Sequence, residues 1–255
     1  MIKLLDTGHL IAPLPTSHTT AQLHRACLIR DEYANRVHAH IKAFPADSKG
    51  LANEVAGHLL HHAAGINTAR RAWLIVLNRH ELTTLFPAVD IGNDQEWLCW
   101  ATEHIEGMPI NAMDAWTWGD ELAVWPDTAT CIALHEWLWA IDGNAGNLIS
   151  TGHGDFAAID HADILGGQHW TAKMLRHNTQ QRFYNKALHI AWGGTPTPQQ
   201  RQAARDKASR HSHILQAAWP HIHQWWQSML KRKDIDAAYA FLTERAAPGW
   251  IDNRL

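Results

Sequence analysis

The sequence has no run of about 18 consecutive apolar residues, so it predicts no transmembrane helix. Its N-terminal stretch is too short and too often interrupted for the apolar core of a signal peptide. Its three cysteines are far apart and form neither a CxxC pair nor a disulfide framework. These absences favour a reducing compartment, and we expect a cytoplasmic protein without membrane attachment.

An excess of charge of one sign is also missing. The formal net charge is -3, and charged residues make up 18% of the chain. This balance gives no electrostatic footprint for nucleic acid, so we expect no direct nucleic-acid binding. A hydrophobic content of 46% in 255 residues is that of an ordinary globular protein, either one large domain or two small lobes around a cleft.

The first half of the chain predicts strands around one helix. Residues 35–44 alternate between apolar and polar side chains, as a strand with one buried face does. Apolar stripes at helical spacing predict a helix over 51–64, with Ser48 as its N-cap and Gly65 at its end. Further strands are predicted over 72–77 and 96–105.

The second half is predicted to be mostly helical, with one polar interruption. A helix over 127–139 precedes the loop IDGNAGNLIS (141–150). A turn then leads into the short strand FAAID (156–160), and helices resume at about residue 170. The loop and the strand after it therefore form a hairpin between helices.

This order of elements predicts the fold class. Strands with one helix come first, then a break at Gly107 and Pro109, a helix, the hairpin and further helices. This is the order of an α+β, two-lobed protein kinase-like fold. We expect a small sheet-rich N-lobe over 1–106 that binds nucleotide phosphates and a larger helical C-lobe over 107–255 that carries the catalytic loop and the metal-binding hairpin.

Three polar residues of the second half have the spacing that phosphoryl transfer requires. The reaction needs a carboxylate that orients the attacking hydroxyl and oxygen ligands for Mg²⁺. Asp142 is followed five positions later by Asn147, and Asp160 ends the next predicted strand. We predict Asp142 as the catalytic base and Asn147 and Asp160 as Mg²⁺ ligands. The alternative is a solvated turn with three unrelated polar residues.

The first half offers a second pair of candidates. A kinase needs a strand lysine for the nucleotide phosphates and a helix glutamate that orients it. Lys42 lies on the polar face of the first predicted strand, and Glu54 lies in the helix that follows. We predict that both face one cleft and count them with the catalytic residues. The alternatives are a surface lysine and an exposed helix acid.

Together these segments resemble the HipA-like kinases, a group similar to both protein kinases and aminoglycoside phosphotransferases. The resemblance covers roughly residues 35–255 and rests on the strings IKAF, LANEVAGHLLHHAAGI, EHIEG, IDGNAGNLI, AAIDHADIL and AYAFLTERAAPGWI. It implies that Lys42 binds the α- and β-phosphates of ATP and that Glu54 orients Lys42. It also implies that the backbone from Glu103 to Ile105 binds adenine.

The chain departs from the kinase pattern in its phosphate loop. No glycine occurs between Gly8 and Gly50, so a glycine-rich loop is missing. HipA-like kinases often use a serine-containing loop instead, and Thr16, Ser17 and Thr19 stand where it would fall. The resemblance implies that these residues contact phosphates and that one of them could be autophosphorylated. A plain polar loop is the alternative.

A second departure concerns the charge beside Asp142. The family often has a basic residue two positions after this aspartate, where this chain has Asn144. The source of charge compensation around the transferred phosphoryl group therefore stays open.

The chain is rich in histidine and tryptophan, with 20 and 14 residues. His58, His61 and His62 share one helix at spacings that could bind Zn²⁺. Because no carboxylate completes an HExxH pattern, we expect no metal site there. Burial is predicted for Trp219, Trp225 and Trp226.

These observations predict an ATP- and Mg²⁺-dependent phosphotransferase that acts on a serine or threonine hydroxyl of a protein. The resemblance implies a toxin–antitoxin or other regulatory role, with an antitoxin or regulatory protein as a partner. One alternative is a kinase for a small-molecule alcohol. Another is a catalytically weak, kinase-like module that binds a nucleotide or a protein.

Overall fold

The computed structural model describes residues 2–15, 23–87, 94–110, 118–143 and 145–255. The chain forms two compact units. The first comprises residues 1–51 and 69–105, and the second comprises residues 52–68 and 106–255. The boundary predicted at residues 106 and 107 follows chain order alone and stays a prediction. Among the described residues, none of the helices combines the length and apolar character that a bilayer span requires.

The first unit is built on a six-stranded sheet with one helix. Its elements are β1 (Lys3–Leu5), β2 (Leu10–Pro13), β3 (His24–Arg30), β4 (Arg36–Lys42), β5 (Ala72–Asn78), α2 (Arg79–Leu85) and β6 (Glu96–Glu103). The strand order is β1-β5-β6-β4-β3-β2. β1 runs parallel to β5, and the other neighbours are antiparallel.

The predicted alternation of apolar and polar residues in β4 determines which face of the strand is buried. Val37, Ala39 and Ile41 are buried, whereas the residues between them are exposed or partly exposed. The buried side chains join an apolar cluster with β3, β5 and α2. The opposite face of β4, which carries Lys42, is therefore polar and partly exposed to solvent.

α2 is an element that the sequence analysis missed. The Asn78 side chain accepts a hydrogen bond from the Glu81 N–H, and the Glu81 carboxylate accepts one from the Asn78 N–H. This capping box satisfies two N–H groups that the helix itself cannot pair.

The second unit is mainly helical. Helix α1 (Gly50–Ala64) belongs to this unit from Ala52 onward. The other elements are β7 (Met108–Pro109), α3 (Gly119–Val124), α4 (Thr128–Leu138), β8 (Leu148–Gly152), β9 (Asp155–Ala158), α5 (Ala172–His177), α6 (Lys186–Trp192), α7 (Pro198–Ala208), α8 (His211–Met229) and α9 (Arg232–Arg245). The three strands form a small antiparallel sheet in the order β7-β8-β9.

Two buried helices organise the second unit. Every residue of α4 is buried, and α9 is tied to it by the fully buried Arg245, whose Nε donates to the Trp137 carbonyl at 2.9 Å. α8 is tied to α1 in the same way, because Trp226 Nε1 donates to the Ala52 carbonyl at 2.8 Å. α1 ends as predicted at Gly65, which has the left-handed φ of 85° that favours glycine.

The predicted α+β class and the sheet-rich and helical halves are confirmed. The prediction of buried tryptophans is correct for Trp226, whereas Trp219 and Trp225 are partly exposed because α8 buries a single stripe of residues. All three cysteines are buried: Cys27 and Cys99 in the first unit and Cys131 in the second.

Candidate functional site

The loop between α4 and β8 brings Asp142 and Asn147 together. Trp139 follows α4 with a left-handed φ of 53° and turns the chain out of the helix. Asn147 Nδ2 donates to the backbone carbonyl of Asp142 at 2.7 Å. Because this bond uses the amide nitrogen, the amide oxygen is the atom of Asn147 that can ligate a cation. The role of Asn147 as a Mg²⁺ ligand stays a prediction.

A lysine from a distant part of the sequence pairs with Asp142. Lys186 is the first residue of α6, and its Nζ lies 3.0 Å from Asp142 Oδ1. The two side chains are 37% and 49% exposed, so the ion pair contributes at most about 1 kcal/mol to stability. Its importance is positional, since it places a cation beside the carboxylate in a loop whose sequence offers none. Sequence reasoning missed Lys186 because no local spacing links residues 44 positions apart.

Asp160 follows β9 with an uncommon backbone conformation. Its φ is 59°, in the left-handed region, and its side chain is exposed. The prediction that the strand runs through Asp160 is wrong by two residues, because β9 ends at Ala158 and a positive φ does not continue a ladder. Ile159 N–H donates to the Asn147 carbonyl at 2.8 Å and ties the end of the hairpin to the loop. Such conformations concentrate at functional sites.

α1 positions the backbone directly after Asp160. Glu54, which is buried, accepts a hydrogen bond at Oε2 from the His161 N–H at 3.0 Å. Gly57, the next α1 residue on this face, touches the His161 side chain so closely that any Cβ there would collide with it. The predicted partner of Glu54, Lys42, belongs to the other compact unit, and that pairing stays a prediction.

Asn53, the neighbour of Glu54, holds the segment after His161. The two hydrogens of its fully buried Nδ2 are shared among three carbonyls, those of Ala162 at 2.6 Å, Ile164 at 3.1 Å and Gly167 at 3.1 Å. Its Oδ1 accepts from Trp170 Nε1 at 2.9 Å. A single amide thus contributes to the pairing of several buried backbone groups, of which the Ile164 carbonyl also accepts from the Gly167 N–H at 3.2 Å.

Buried histidines fill the space behind this site. The His61 ring stacks on His161 with 4.2 Å between centroids, and His61 Nδ1 bonds to the Gly57 carbonyl at 2.8 Å. His135 lies against Gly143, where a Cβ would collide with its ring. Burial lowers the pKa of His61 to about 4 and the pKa of His135 to about 3. The helix histidines that had suggested a metal site are therefore partly core residues.

These buried histidines predict that the protein loses stability in acid. His211, stacked on Trp137, also has its pKa lowered by burial, to about 3. The unfolded chain takes up protons on these residues near pH 6.5 and the folded chain does not, so stability present at pH 7 is lost as the pH falls below 6.5. We expect each of the three to cost about 2 kcal/mol at pH 5. Urea unfolding between pH 7 and pH 5 measures this loss.

The matched variants for this measurement are histidine replacements on α8. His211→Phe keeps a ring against Trp137 and removes one titrating group, so the loss of stability between pH 7 and pH 5 should shrink by about 2 kcal/mol. His213→Asn, at an exposed position two residues on, should leave it unchanged. Equal pH dependence in wild type and His211→Phe would contradict the assignment.

The nucleotide residues predicted in the first unit lie on adjacent strands. Lys42 ends β4, is partly buried, and pairs in register with Trp100 of β6. The N–H groups of Glu103 and His104 donate to carbonyls of the sheet, at 3.0 and 2.8 Å. These two N–H groups of the predicted adenine-binding backbone are thus already paired, and adenine binding by this backbone stays a prediction.

The Glu103 side chain has a structural role that the sequence did not suggest. Arg71 Nε and Nη2 donate to its two carboxylate oxygens at 3.0 and 2.7 Å, and Arg71 Nη1 donates to the buried Asp31 at 2.8 Å. The bond with Arg71 holds the pKa of Glu103 below its usual range. This forked pairing fixes the end of β6.

Four residues of the sequence predictions lie outside the described part of the chain. They are Thr16, Ser17 and Thr19 of the proposed phosphate loop and Asn144 of the catalytic loop.

The sheet order, the hairpin and the helical second unit define a chain with the protein kinase-like fold. Among solved structures it is similar to the Helicobacter pylori proinflammatory kinase CtkA, with a TM-score of 0.58, 12% identity and 97% of each chain covered. At this identity the similarity shows the fold alone. The HipA-like family therefore stays a proposal.

Two further solved structures align over most of the chain with lower TM-scores. An aminoglycoside phosphotransferase from Alicyclobacillus acidocaldarius has a TM-score of 0.32 and 11% identity, covering 94% of this chain and 90% of its own. The MAP kinase LmaMPK10 from Leishmania major has a TM-score of 0.34 and 11% identity, covering 96% and 83%. No protein-family model matches the sequence, and no curated protein matches it.

Proposed function

We propose that the protein is an ATP- and Mg²⁺-dependent phosphotransferase, a serine/threonine kinase of the HipA-like kind that phosphorylates a protein hydroxyl. The observation that supports this most is the Asp142–Asn147 loop, followed by the left-handed Asp160, in a kinase-like fold. A solvated turn of unrelated residues has no need for the bonds from Asn147 to the Asp142 carbonyl and from the Ile159 N–H to the Asn147 carbonyl.

The proposed chemistry follows from the atoms that the residues offer. The Asn147 amide oxygen and the Asp160 carboxylate are the hard oxygen ligands that Mg²⁺ prefers, and the bound ion would neutralise charge on the phosphates. Asp142 would accept the proton of the acceptor hydroxyl as its oxygen bonds to the γ-phosphorus and the bond to ADP breaks. Lys42 would bind the α- and β-phosphates.

Lys186 supplies what the loop sequence lacks. A cation 3.0 Å from Asp142 Oδ1 lies where the transferred phosphoryl group would pass, so it can offset charge on that group and orient Asp142. We therefore count Lys186 as the replacement for the basic residue that many kinases carry within the loop.

The test is an assay of the whole chain with ATP and Mg²⁺, in which ADP release and the intact mass are followed. We expect ADP release by wild type and its loss in Asp142→Ala. We expect Lys186→Met to lower kcat about 100-fold with little change in KM for ATP, and Lys186→Arg to recover part of the rate. Lys173→Met, an exposed lysine of the same unit, is the control.

The outcomes separate the competing functions. Phosphate on the protein or on an added protein supports the proposal, whereas ADP release that depends on an added small alcohol supports a small-molecule kinase. ATP binding without turnover supports a binding module. Wild type that neither binds nor hydrolyses ATP overturns the proposal.

A further inference from the structure

Four histidines lie on the polar side of the sheet in the first unit. His24 is on β3, His38 and His40 are on β4, and His104 directly follows β6. β4 lies between β3 and β6, and His40 is paired in register with Ala26 on one side and Thr102 on the other. Residues two apart on a strand point to the same face, so His38 and His40 project together, away from the apolar core.

The ring nitrogens of three of these histidines converge. One nitrogen from each of His38, His40 and His104 lies within 4.8 Å of the other two. His40 Nε2 and His104 Nδ1 are 2.9 Å apart, and the rings of His38 and His104 stack with centroids 4.1 Å apart. Nitrogens around a tetrahedral Zn²⁺ are ~3.4 Å apart, since each Zn–N distance is about 2.05 Å. Small side-chain rotations would bring this set to that spacing.

The backbone fixes the three histidines before any ion binds. His38 and His40 are held by β4, and the N–H of His104 donates to the His38 carbonyl at 2.8 Å. Rigid strands thus carry all three donors, which lowers the entropy that a metal would have to offset on binding.

The chemistry of the donors also suits metal binding. His40 is partly buried, and imidazole binds metals in its neutral form. Neutral imidazoles favour zinc, copper, nickel or cobalt over Mg²⁺, which prefers oxygen.

We propose that His38, His40 and His104 form a binding site for one divalent transition-metal ion such as Zn²⁺, with water or His24 completing its coordination. The three side chains are not among the predicted catalytic or Mg²⁺-binding groups, and only the backbone of His104 belongs to the predicted adenine-binding segment. Within the described part of the chain, these three are the one set of histidine, cysteine or acidic residues whose ligand atoms converge closely enough for a metal.

A hydrogen-bonded histidine chain is the competing explanation. His40 Nδ1 lies 3.1 Å from His24 Nε2, so one neutral ring could donate to one neighbour and accept from the other. Such a chain explains His24, His40 and His104. It does not include His38, whose ligand nitrogen lies within 4.8 Å of those of His40 and His104 and whose ring stacks on His104.

The test is Zn²⁺ titration of the whole, metal-free chain by calorimetry in the presence of excess Mg²⁺. Stoichiometry matters because the chain has 20 histidines, and we expect one tight site. His38→Ala and His40→Ala should each weaken it at least ~100-fold. His80→Ala, an exposed histidine of α2, should bind like wild type. Circular dichroism confirms that each variant is folded.

Substitution with Co²⁺ gives a second readout that surface binding would not mimic. A tetrahedral site with histidine ligands should produce visible absorption in wild type and His80→Ala and none in His38→Ala. Because His38 is exposed, this variant should keep its fold. A wild-type chain without a stoichiometric site, or a His38→Ala chain that binds equally well, would overturn the proposal in favour of the hydrogen-bonded chain.

Discussion

Asp160→Asn is expected to lower the rate of ADP formation at saturating Mg²⁺ by about 10³-fold, because a metal-binding carboxylate contributes several kcal/mol of transition-state stabilisation. Asp160 is exposed and follows the β8–β9 hairpin. The amide of asparagine is a weaker ligand for Mg²⁺ and carries no charge. Steady-state kinetics over a range of Mg²⁺ concentrations measure the effect.

The same substitution should change the stability of the fold very little, so that a lower rate would report the loss of metal binding. Asp160 has a φ of 59°, and asparagine tolerates the left-handed region as well as aspartate does. We expect the unfolding midpoint of Asp160→Asn to match wild type. Asp120→Asn, an exposed acid on α3, is the control and should keep full activity. If Asp160→Asn keeps the wild-type rate and Mg²⁺ dependence, Asp160 is not a metal ligand.

Asn53→Ala is expected to destabilise the protein by about 3–5 kcal/mol, the largest effect on stability that we predict. The variant removes the donor for three buried carbonyls and the acceptor for Trp170 Nε1 together. Each buried polar group left unpaired costs about 1–3 kcal/mol. Urea unfolding followed by tryptophan fluorescence measures the change, since Trp170 is one of the groups that lose a partner.

His62→Ala is the control for this measurement. His62 lies on the same helix but is exposed, so its loss should change stability by no more than about 0.5 kcal/mol. A loss below about 1 kcal/mol in Asn53→Ala would show that water replaces the amide and that Asn53 does not hold the segment after Asp160.

Local sequence patterns were sufficient to predict a helix or strand where one periodicity of apolar residues was clear. The alternation around Lys42 predicted β4, the apolar stripe and Gly65 predicted α1, and the polar spacing predicted the loop and hairpin of Asp142 and Asn147. Each of these features depends on residues that are close together in the sequence, so the pattern of apolar and polar side chains is enough to predict it. α2 could also have been predicted, because its capping box is visible as Asn78 followed three residues later by Glu81.

Contacts between distant segments could not be predicted in this way. The Lys186–Asp142 pair and the bonds from Asn53 to residues over 100 positions later depend on how helices pack, which no spacing encodes. The left-handed Asp160 likewise ended a strand that propensity alone would have extended. A single sequence therefore indicates which residues carry the chemistry better than it indicates what holds them in place.

The three buried cysteines make the folded chain poorly reactive towards thiol reagents. Burial raises the pKa of Cys27 and Cys131 to about 12, and it raises that of Cys99 as well, so few thiolates form at neutral pH. Alkylation then proceeds only when the surrounding structure opens. Because Cys27 and Cys99 belong to the first unit and Cys131 to the second, the labelling rate at each position reports how often its own unit opens. The native sequence thus carries its own probes of local unfolding.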